Sequence, residues 1–132
     1  MADPDDILRL NRNFYRAFAE HDFEAMDELW ADSLPVSCIH PGWQALFGRA
    51  DVMTSWRDLM RSGPATPIVA RAERVSLYRD TALVLCEEVL NGSAVLAAAN
   101  LFVREDGEWR LAHHQASPLA PRPEAEPKRR LH

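Results

Sequence analysis

Apolar residues recur along this chain with two different periods, and the change from one to the other divides it. In the first part Ile7, Leu8, Phe14, Tyr15 and Phe18 fall on one face of a helix. Asp3-Pro4-Asp5-Asp6 precedes them, with an aspartate able to cap, a proline suited to the first helical position and acids in the first turn. His21-Asp22 interrupts the pattern. Asp22 can cap a second, shorter helix carrying Phe23, Met26, Leu29 and Trp30 on one side. Leu34, Val36 and Cys38 alternate with Pro35 and Ser37, which predicts a short strand over residues 34–40. His40 shares the parity of the apolar positions and is expected to point inward with them. After the turn at His40-Pro41-Gly42-Trp43, Gly48 and Asp51 lead into a third helix with Val52, Met53, Trp56, Leu59 and Met60 on its apolar face; Ser62-Gly63-Pro64 ends it.

From there on the period is two. Strands are predicted over roughly 67–78, 81–90, 94–104 and 108–117, separated by Arg79-Asp80, Asn91-Gly92 and Asp106-Gly107. The last two dipeptides favour type I′ hairpin turns, so the four strands form an antiparallel meander. The element order is αα-β-α-ββββ, an α+β domain whose bent sheet is covered on one face by three helices.

Two-residue hairpins set a register. They place Glu88 opposite Val95, Leu83 opposite Asn100, Asn100 opposite His113 and Ala99 opposite His114. One face then carries Val84, Cys86, Glu88, Val95, Ala97, Ala99, Leu101, Ala112, His114 and Ala116. The other mixes Leu83, Leu85, Leu96, Ala98, Phe102, Trp109 and Leu111 with Arg74, Glu87, Asn100, His113 and Gln115. A β-bulge would exchange part of these sets. The second face is too apolar for water. A homodimer through this outer sheet face is expected, burying Phe102, Trp109 and Leu111, with Asn100 and His113 as a polar cross-strand contact within it; an inverted register would make that pair a catalytic candidate instead.

The 132 residues suffice for one domain with its own core, assigned to 1–118. Residues 119–132, with Pro-Arg-Pro-Glu-Ala-Glu-Pro, read as a disordered tail. Net charge is -5, and the one basic cluster, Lys128-Arg129-Arg130, reads as a solvated end. No nucleic acid is expected as partner. No apolar run approaches the ~20 residues of a membrane span. The start shows no apolar leader, so a cytoplasmic location is expected. Cys38 and Cys86 lie far apart in apolar stretches and read as buried small hydrophobes. The chain has no glycine-rich phosphate loop, nucleophile elbow or His-Glu-x-x-His, so no cofactor or metal is expected.

Several motifs now combine. They are the paired N-terminal helices with Asn13-Phe14-Tyr15-Arg16-Ala17-Phe18, the strand and turn Val36-Ser37-Cys38-Ile39-His40-Pro41-Gly42-Trp43, Gly48-Arg49 before the third helix, and the last strand from Gly107-Glu108-Trp109 to His113-His114-Gln115-Ala116-Ser117-Pro118. In this order they resemble the NTF2-like superfamily in its SnoaL-like branch, over residues 5–118. The resemblance implies a cone-shaped α+β barrel around a deep pocket, usually dimeric. Members of that superfamily include polyketide cyclases, ketosteroid isomerases, dehydratases, epoxide hydrolases and binding or assembly domains. This chain shows neither the Asp-Arg-Asp set of the epoxide hydrolases nor the isomerase pairing of a tyrosine with two aspartates.

His40, His114 and Glu88 are the candidate acid–base groups. Both histidines face inward in the expected register and can give or take a proton near neutrality, or serve as hydrogen-bonded scaffold. Glu88 is an inward carboxylate whose burial would raise its pKa; a salt bridge to Arg71 is the structural alternative. Tyr15, Trp43 and Trp56 can line an apolar pocket or fill the core. Arg71 can hold a substrate carboxylate or stand in solvent. The functional reading is a pocket for an apolar small molecule, with cofactor-free isomerase, cyclase or dehydratase chemistry on a carbonyl compound. The alternative is a non-catalytic ligand-binding or assembly module.

Overall fold

The computed structural model describes residues 3–120. The first helix, α1 (Pro4–Ala19), begins at the acidic cluster: the Asp3 carboxylate accepts from the Asp5 N–H at 2.7 Å. Asp22 caps α2 (Phe23–Leu29), accepting from the Ala25 N–H at 3.1 Å. These caps satisfy N–H groups that a helix start leaves without intrahelical partners. Strand β1 (Ser37–Ile39) is shorter than the predicted 34–40. Leu34 remains 41% exposed, and its N–H is taken by Glu105 at 2.9 Å instead of a ladder. A two-residue strand absent from the sequence reading, β2 (Leu46–Phe47), pairs with β1. Helix α3 (Arg49–Arg61) follows Gly48, whose φ of +89° suits glycine.

The meander consists of β3 (Ile68–Leu77), β4 (Thr81–Leu90), β5 (Ser93–Glu105) and β6 (Glu108–Pro118). Asn91, Gly92, Asp106 and Gly107 all have positive φ, as the two type I′ turns require. Among the described residues the sheet order is β2-β1-β6-β5-β4-β3, with β1 parallel to β6 and the other pairs antiparallel. The sheet is open, with β2 and β3 at its edges. The fold is the α+β class expected, with one short strand added to the predicted order. The C-terminal tail assigned to 119–132 falls, from residue 121 on, outside the described residues; Leu119 still gives its N–H to the Val95 carbonyl at 2.8 Å.

Bulges change the register. Glu88 pairs with Leu96, not Val95, because the ladder shifts between Glu88 and Val89. One extra residue on β5 turns the strand over from Leu96 onward. Ala98, Asn100 and Phe102 therefore face the helices, while Val95 is 38% exposed. A second shift between Leu101 and Phe102 skips Ala112 on β6. It brings Leu111 inward while keeping His114 and Ala116 inward, and it sets Asn100 opposite His114. The expected pairs Leu83–Asn100, Asn100–His113 and Ala99–His114 are thus replaced by Val84–Asn100, Asn100–His114 and Ala99–Gln115.

The expected dimer face changes accordingly. Phe102 and Leu111 are 0% exposed within the single chain and belong to its core. Trp109 is partly buried against that core, under the Arg104 guanidinium at 4.7 Å. Phe14, Trp30, Val52 and Trp56 meet Val84, Phe102 and Leu111 across the interior. Burial of this apolar surface is the main stabilising contribution.

Two polar clamps fix the link from α2 to β1, at whose end His40 stands. The Glu105 carboxylate accepts from the N–H groups of Asp32, Ser33 and Leu34, each at 2.9 Å. Those donors hold its pKa down to about 2. The Arg49 guanidinium donates to the carbonyls of Asp27, Trp30 and Ala31 at 2.7, 3.1 and 2.9 Å.

Candidate functional site

Between α1, α3 and the inner face of the sheet lies a cavity of about 360 Å³. Its walls are apolar and aromatic: Phe14, Tyr15 and Phe18 from α1, Trp56 and Leu59 from α3, Pro41 and Trp43 from the turn after β1, and Ile68, Leu90 and Leu96 from the sheet. His40, Thr66, Glu88 and His114 complete the lining. Sheet and helix parity converge here: Glu88 and His114 are on inward positions of β4 and β6, and Tyr15 and Trp56 on the buried stripes of their helices.

His114 is 3% exposed and stands against Phe14 and Trp56, with ring centroids 4.8 and 5.6 Å away. Its Nδ1 lies 2.5 Å from Asn100 Oδ1, and its Nε2 lies 3.8 Å from Glu88 Oε2. Burial brings its pKa down to about 3, and the proximity of His40 and His113 acts in the same direction. Glu88, also 3% exposed, accepts a hydrogen bond from the Tyr15 hydroxyl at 2.8 Å. Burial raises its pKa, and the Tyr15 bond opposes that rise in part. The Tyr15 hydroxyl is held protonated by burial and by Glu88 beside it. A neutral imidazole therefore faces a carboxyl group that burial pushes toward its neutral form.

His40 stacks edge-on with Trp43 and Trp56, at centroid distances of 4.7 and 4.6 Å. Its Nε2 lies 2.8 Å from Ser55 Oγ, and that hydroxyl donates to the Val52 carbonyl at 2.7 Å. With its proton spent, the hydroxyl oxygen accepts from His40 Nε2–H. Burial brings the His40 pKa down to about 4. Cys38 is buried beside His40 and Cys86 beside Tyr15, and burial pushes the Cys38 thiol up to about 12. Such thiols are small hydrophobes at neutral pH and not nucleophiles.

Of the residues singled out from sequence, His40, His114, Glu88, Tyr15, Trp43 and Trp56 line this one cavity. Arg71 does not: it lies on the other face of the sheet, 57% exposed, and pairs with Glu87 at 2.8 Å. The salt bridge considered for Glu88 is made by its neighbour because successive strand residues face opposite sides. His113, on that outer side, binds Ser37 Oγ at 2.7 Å and Gln115 Oε1 at 2.9 Å. The sequence reading missed Asn11 and Ser55 and set Asn100 on the outer face; Ser55 and Asn100 are buried against His40, Tyr15 and His114, and Asn11 is buried behind Asn100. Asn11 was visible in principle, four positions after Ile7 and four before Tyr15 on the apolar stripe. Among the described residues, no cluster of three or more His, Cys, Asp or Glu is arranged to hold a metal ion.

A bent open sheet with three helices over one face and a cavity between them is the architecture of an NTF2-like α+β domain. The chain belongs to the SnoaL-like domain family, whose pattern it matches over residues 7–121. A solved structure of a proposed dehydratase from the NTF2-like family of Streptomyces avermitilis is 31% identical, with TM-score 0.80, covering 89% of this chain and 96% of that one. A proposed calcium/calmodulin-dependent protein kinase type II association domain from Thiobacillus denitrificans is 30% identical, with TM-score 0.75, covering 83% and 92%. F-box protein SKIP8 of Arabidopsis thaliana is 26% identical over 112 residues, which are 84% of this chain and 48% of that protein. The chain thus spans about half the length of that curated relative. Among the described residues no helix is long and apolar enough to cross a membrane.

Proposed function

We propose that this domain binds an apolar, largely neutral carbonyl compound in its aromatic cavity and moves a proton on it without a cofactor, as a dehydratase or isomerase does. The observation that carries this reading is the buried pair of His114 Nε2 and Glu88 Oε2, 3.8 Å apart on the wall of the cavity. The Nε2 lone pair takes a proton from the carbon next to the ligand carbonyl. The Glu88 carboxyl gives its proton to the ligand oxygen: the hydroxyl that leaves as water, or the carbonyl oxygen that becomes the hydroxyl of an enol. A histidine with a pKa of about 3 is a weak base on its own. As Glu88 loses its proton, however, the new negative charge 3.8 Å away favours the imidazolium, so the two transfers support one another. Trp43, Trp56 and Tyr15 shape the walls, and the dry surroundings strengthen every electrostatic contact inside. The 31% identity to a proposed dehydratase supports the same class of chemistry.

The assembly reading draws on the likeness to an association domain and on Val69, Leu85 and Val95, which stand 60%, 50% and 38% exposed on the outer side of the sheet. We place a homodimer contact there, at Leu85 and its neighbours and not at Phe102 and Leu111. This contact is compatible with an open cavity on the opposite face. A filled cone would have favoured a purely structural module.

The test is a thermal-shift screen with planar unsaturated and β-hydroxy carbonyl compounds, followed by tryptophan fluorescence, since Trp43 and Trp56 line the cavity. With a turned-over compound in hand, His114→Gln and Glu88→Gln should each lower turnover by ~100-fold or more while the fold persists. Full activity and full affinity in His40→Gln, His114→Gln and Glu88→Gln alike would refute the site.

A further inference from the structure

We propose that Glu73, at the margin of the domain, sets the tautomer of His114 through two buried carboxamides and so keeps the Nε2 lone pair on the Glu88 side. The inference rests on the reading of His114 as the proton-accepting group and names what positions it.

The chain of contacts has only one self-consistent direction. Arg12 holds Glu73 by Nε–H to Oε1 at 3.1 Å, and Glu73 Oε2 is 2.8 Å from Asn11 Nδ2. A carboxylate offers acceptors only, so Asn11 must turn its NH₂ toward Glu73 and its carbonyl away. Asn11 Oδ1 then accepts from Asn100 Nδ2 at 2.8 Å. The same Asn100 nitrogen donates its second hydrogen to the Tyr15 hydroxyl at 3.1 Å, and that hydroxyl donates onward to Glu88. With both its hydrogens used, Asn100 presents Oδ1 to His114 Nδ1 at 2.5 Å. Nδ1 must therefore carry the imidazole hydrogen, and in a neutral ring Nε2 is left bare.

Running the chain backwards would set Asn11 Oδ1 against Glu73 Oε2 at 2.8 Å, two acceptors with no hydrogen between them. Asn11 and Asn100 are both 0% exposed, so a reversed order has no solvent to repair it. A single acceptor-only group thus orients Asn11 and Asn100 in turn and, through the two branches from Asn100, Tyr15 and His114. Asn100 has two donors and one acceptor in use, which explains an asparagine at a fully buried strand position. Glu73, Asn11 and Asn100 are positioning residues: they act on the ligand only through His114, Tyr15 and Glu88.

The experiment is long-range ¹H–¹⁵N correlation NMR on the full chain labelled with ¹⁵N-histidine, at neutral pH and without ligand. His114 should show a protonated, pyrrole-type Nδ1 and a bare, pyridine-type Nε2. Glu73→Gln replaces the acceptor-only carboxylate by an amide that can give or accept, and removes the penalty on the reversed chain. In that variant the Nε2–H form should rise to about a tenth of the population or more. The His113 signals, which report the outer face, should stay unchanged. An Nε2–H tautomer in the unmodified protein overturns the proposal, and that spectrum needs no variant to fold. A pure Nδ1–H form in Glu73→Gln overturns it equally. No ligand or turnover enters the measurement, so failure of the proposed chemistry leaves this result standing, and a wrong tautomer ends the relay whatever the cavity binds.

Discussion

His114 Nε2 and Glu88 Oε2 face each other at 3.8 Å, each on a side chain that is 4% exposed. They come from β6 and β4 with β5 between them, and only the inward turn of both strands brings them together. Burial acts oppositely on the two, lowering the histidine and raising the carboxyl. One consequence is a pH dependence with a definite sign.

His40 and His114 are held at about 4 and about 3 against an ordinary 6.5. Below 6.5 the unfolded chain takes up protons that the folded chain refuses, so their contribution is complete above that pH and is lost on acidification. Each can remove up to roughly 1.4 kcal/mol per pH unit through that window. Glu88 has the opposite sign: its raised pKa favours the folded state below the ordinary carboxyl range, and this advantage is lost as pH rises through the folded value. The melting temperature should fall steadily between pH 6.5 and 4, and His40→Gln or His114→Gln should flatten the fall. A wild-type melting temperature that is level across that range would contradict neutral, buried histidines.

Tyr15→Phe removes one hydroxyl that serves two partners. Glu88 loses the bond that opposes its raised pKa, and one Asn100 N–H loses its acceptor. The Glu88 carboxyl should titrate higher by ¹³C NMR, and unfolding free energy should drop by about 1–3 kcal/mol, as for buried groups left without partners. An unmoved Glu88 titration would show that the 2.8 Å contact is not made in solution.

Glu105→Ala should lower the melting temperature and hasten proteolysis between residues 31 and 36, because the N–H groups of Asp32, Ser33 and Leu34 lose their shared acceptor. The pKa of this carboxyl is depressed to about 2, so its contribution is present above the usual carboxyl range and disappears as pH falls toward 2. Wild-type resistance to proteolysis in the variant would refute the clamp.

Sedimentation tests the outer face. The protein should run at twice its monomer mass, and Leu85→Lys, which places a charge on an apolar position now 50% exposed, should return it to the monomer without loss of helix or strand content. A monomer at micromolar concentration in the unmodified chain would remove the dimer contact from the proposal.

What the sequence determined by itself was local. Asp3 and Asp22 cap helices, Asn91-Gly92 and Asp106-Gly107 turn hairpins, and the parity of Cys38 with His40 and of Val84 with Glu88 points both candidate groups inward; all of this depends on neighbours a few residues away. His40, Glu88 and His114 were legible for that reason, and so were Tyr15 and Trp56 on their helical stripes. The register of β5 was not. From Val95 to Val103 that strand is apolar on both sides except at Asn100, so neither orientation is penalised by its own pattern. Tertiary packing decided it: Phe102 fills the core under the helices, and the bulge beside Glu88 supplies the one-residue slip that this demands. That slip moves Phe102 from the expected dimer face to the interior, and the second shift, between Leu101 and Phe102, puts Asn100 opposite His114 and lets Leu111 turn inward as well. The network of Glu73, Asn11, Asn100 and His114 was beyond the sequence because its links join residues far apart in the chain, 89 positions in the case of Asn11 and Asn100. Hydrogen-bond direction passes between such residues only once folding has closed the distance, and no periodicity along the chain records it.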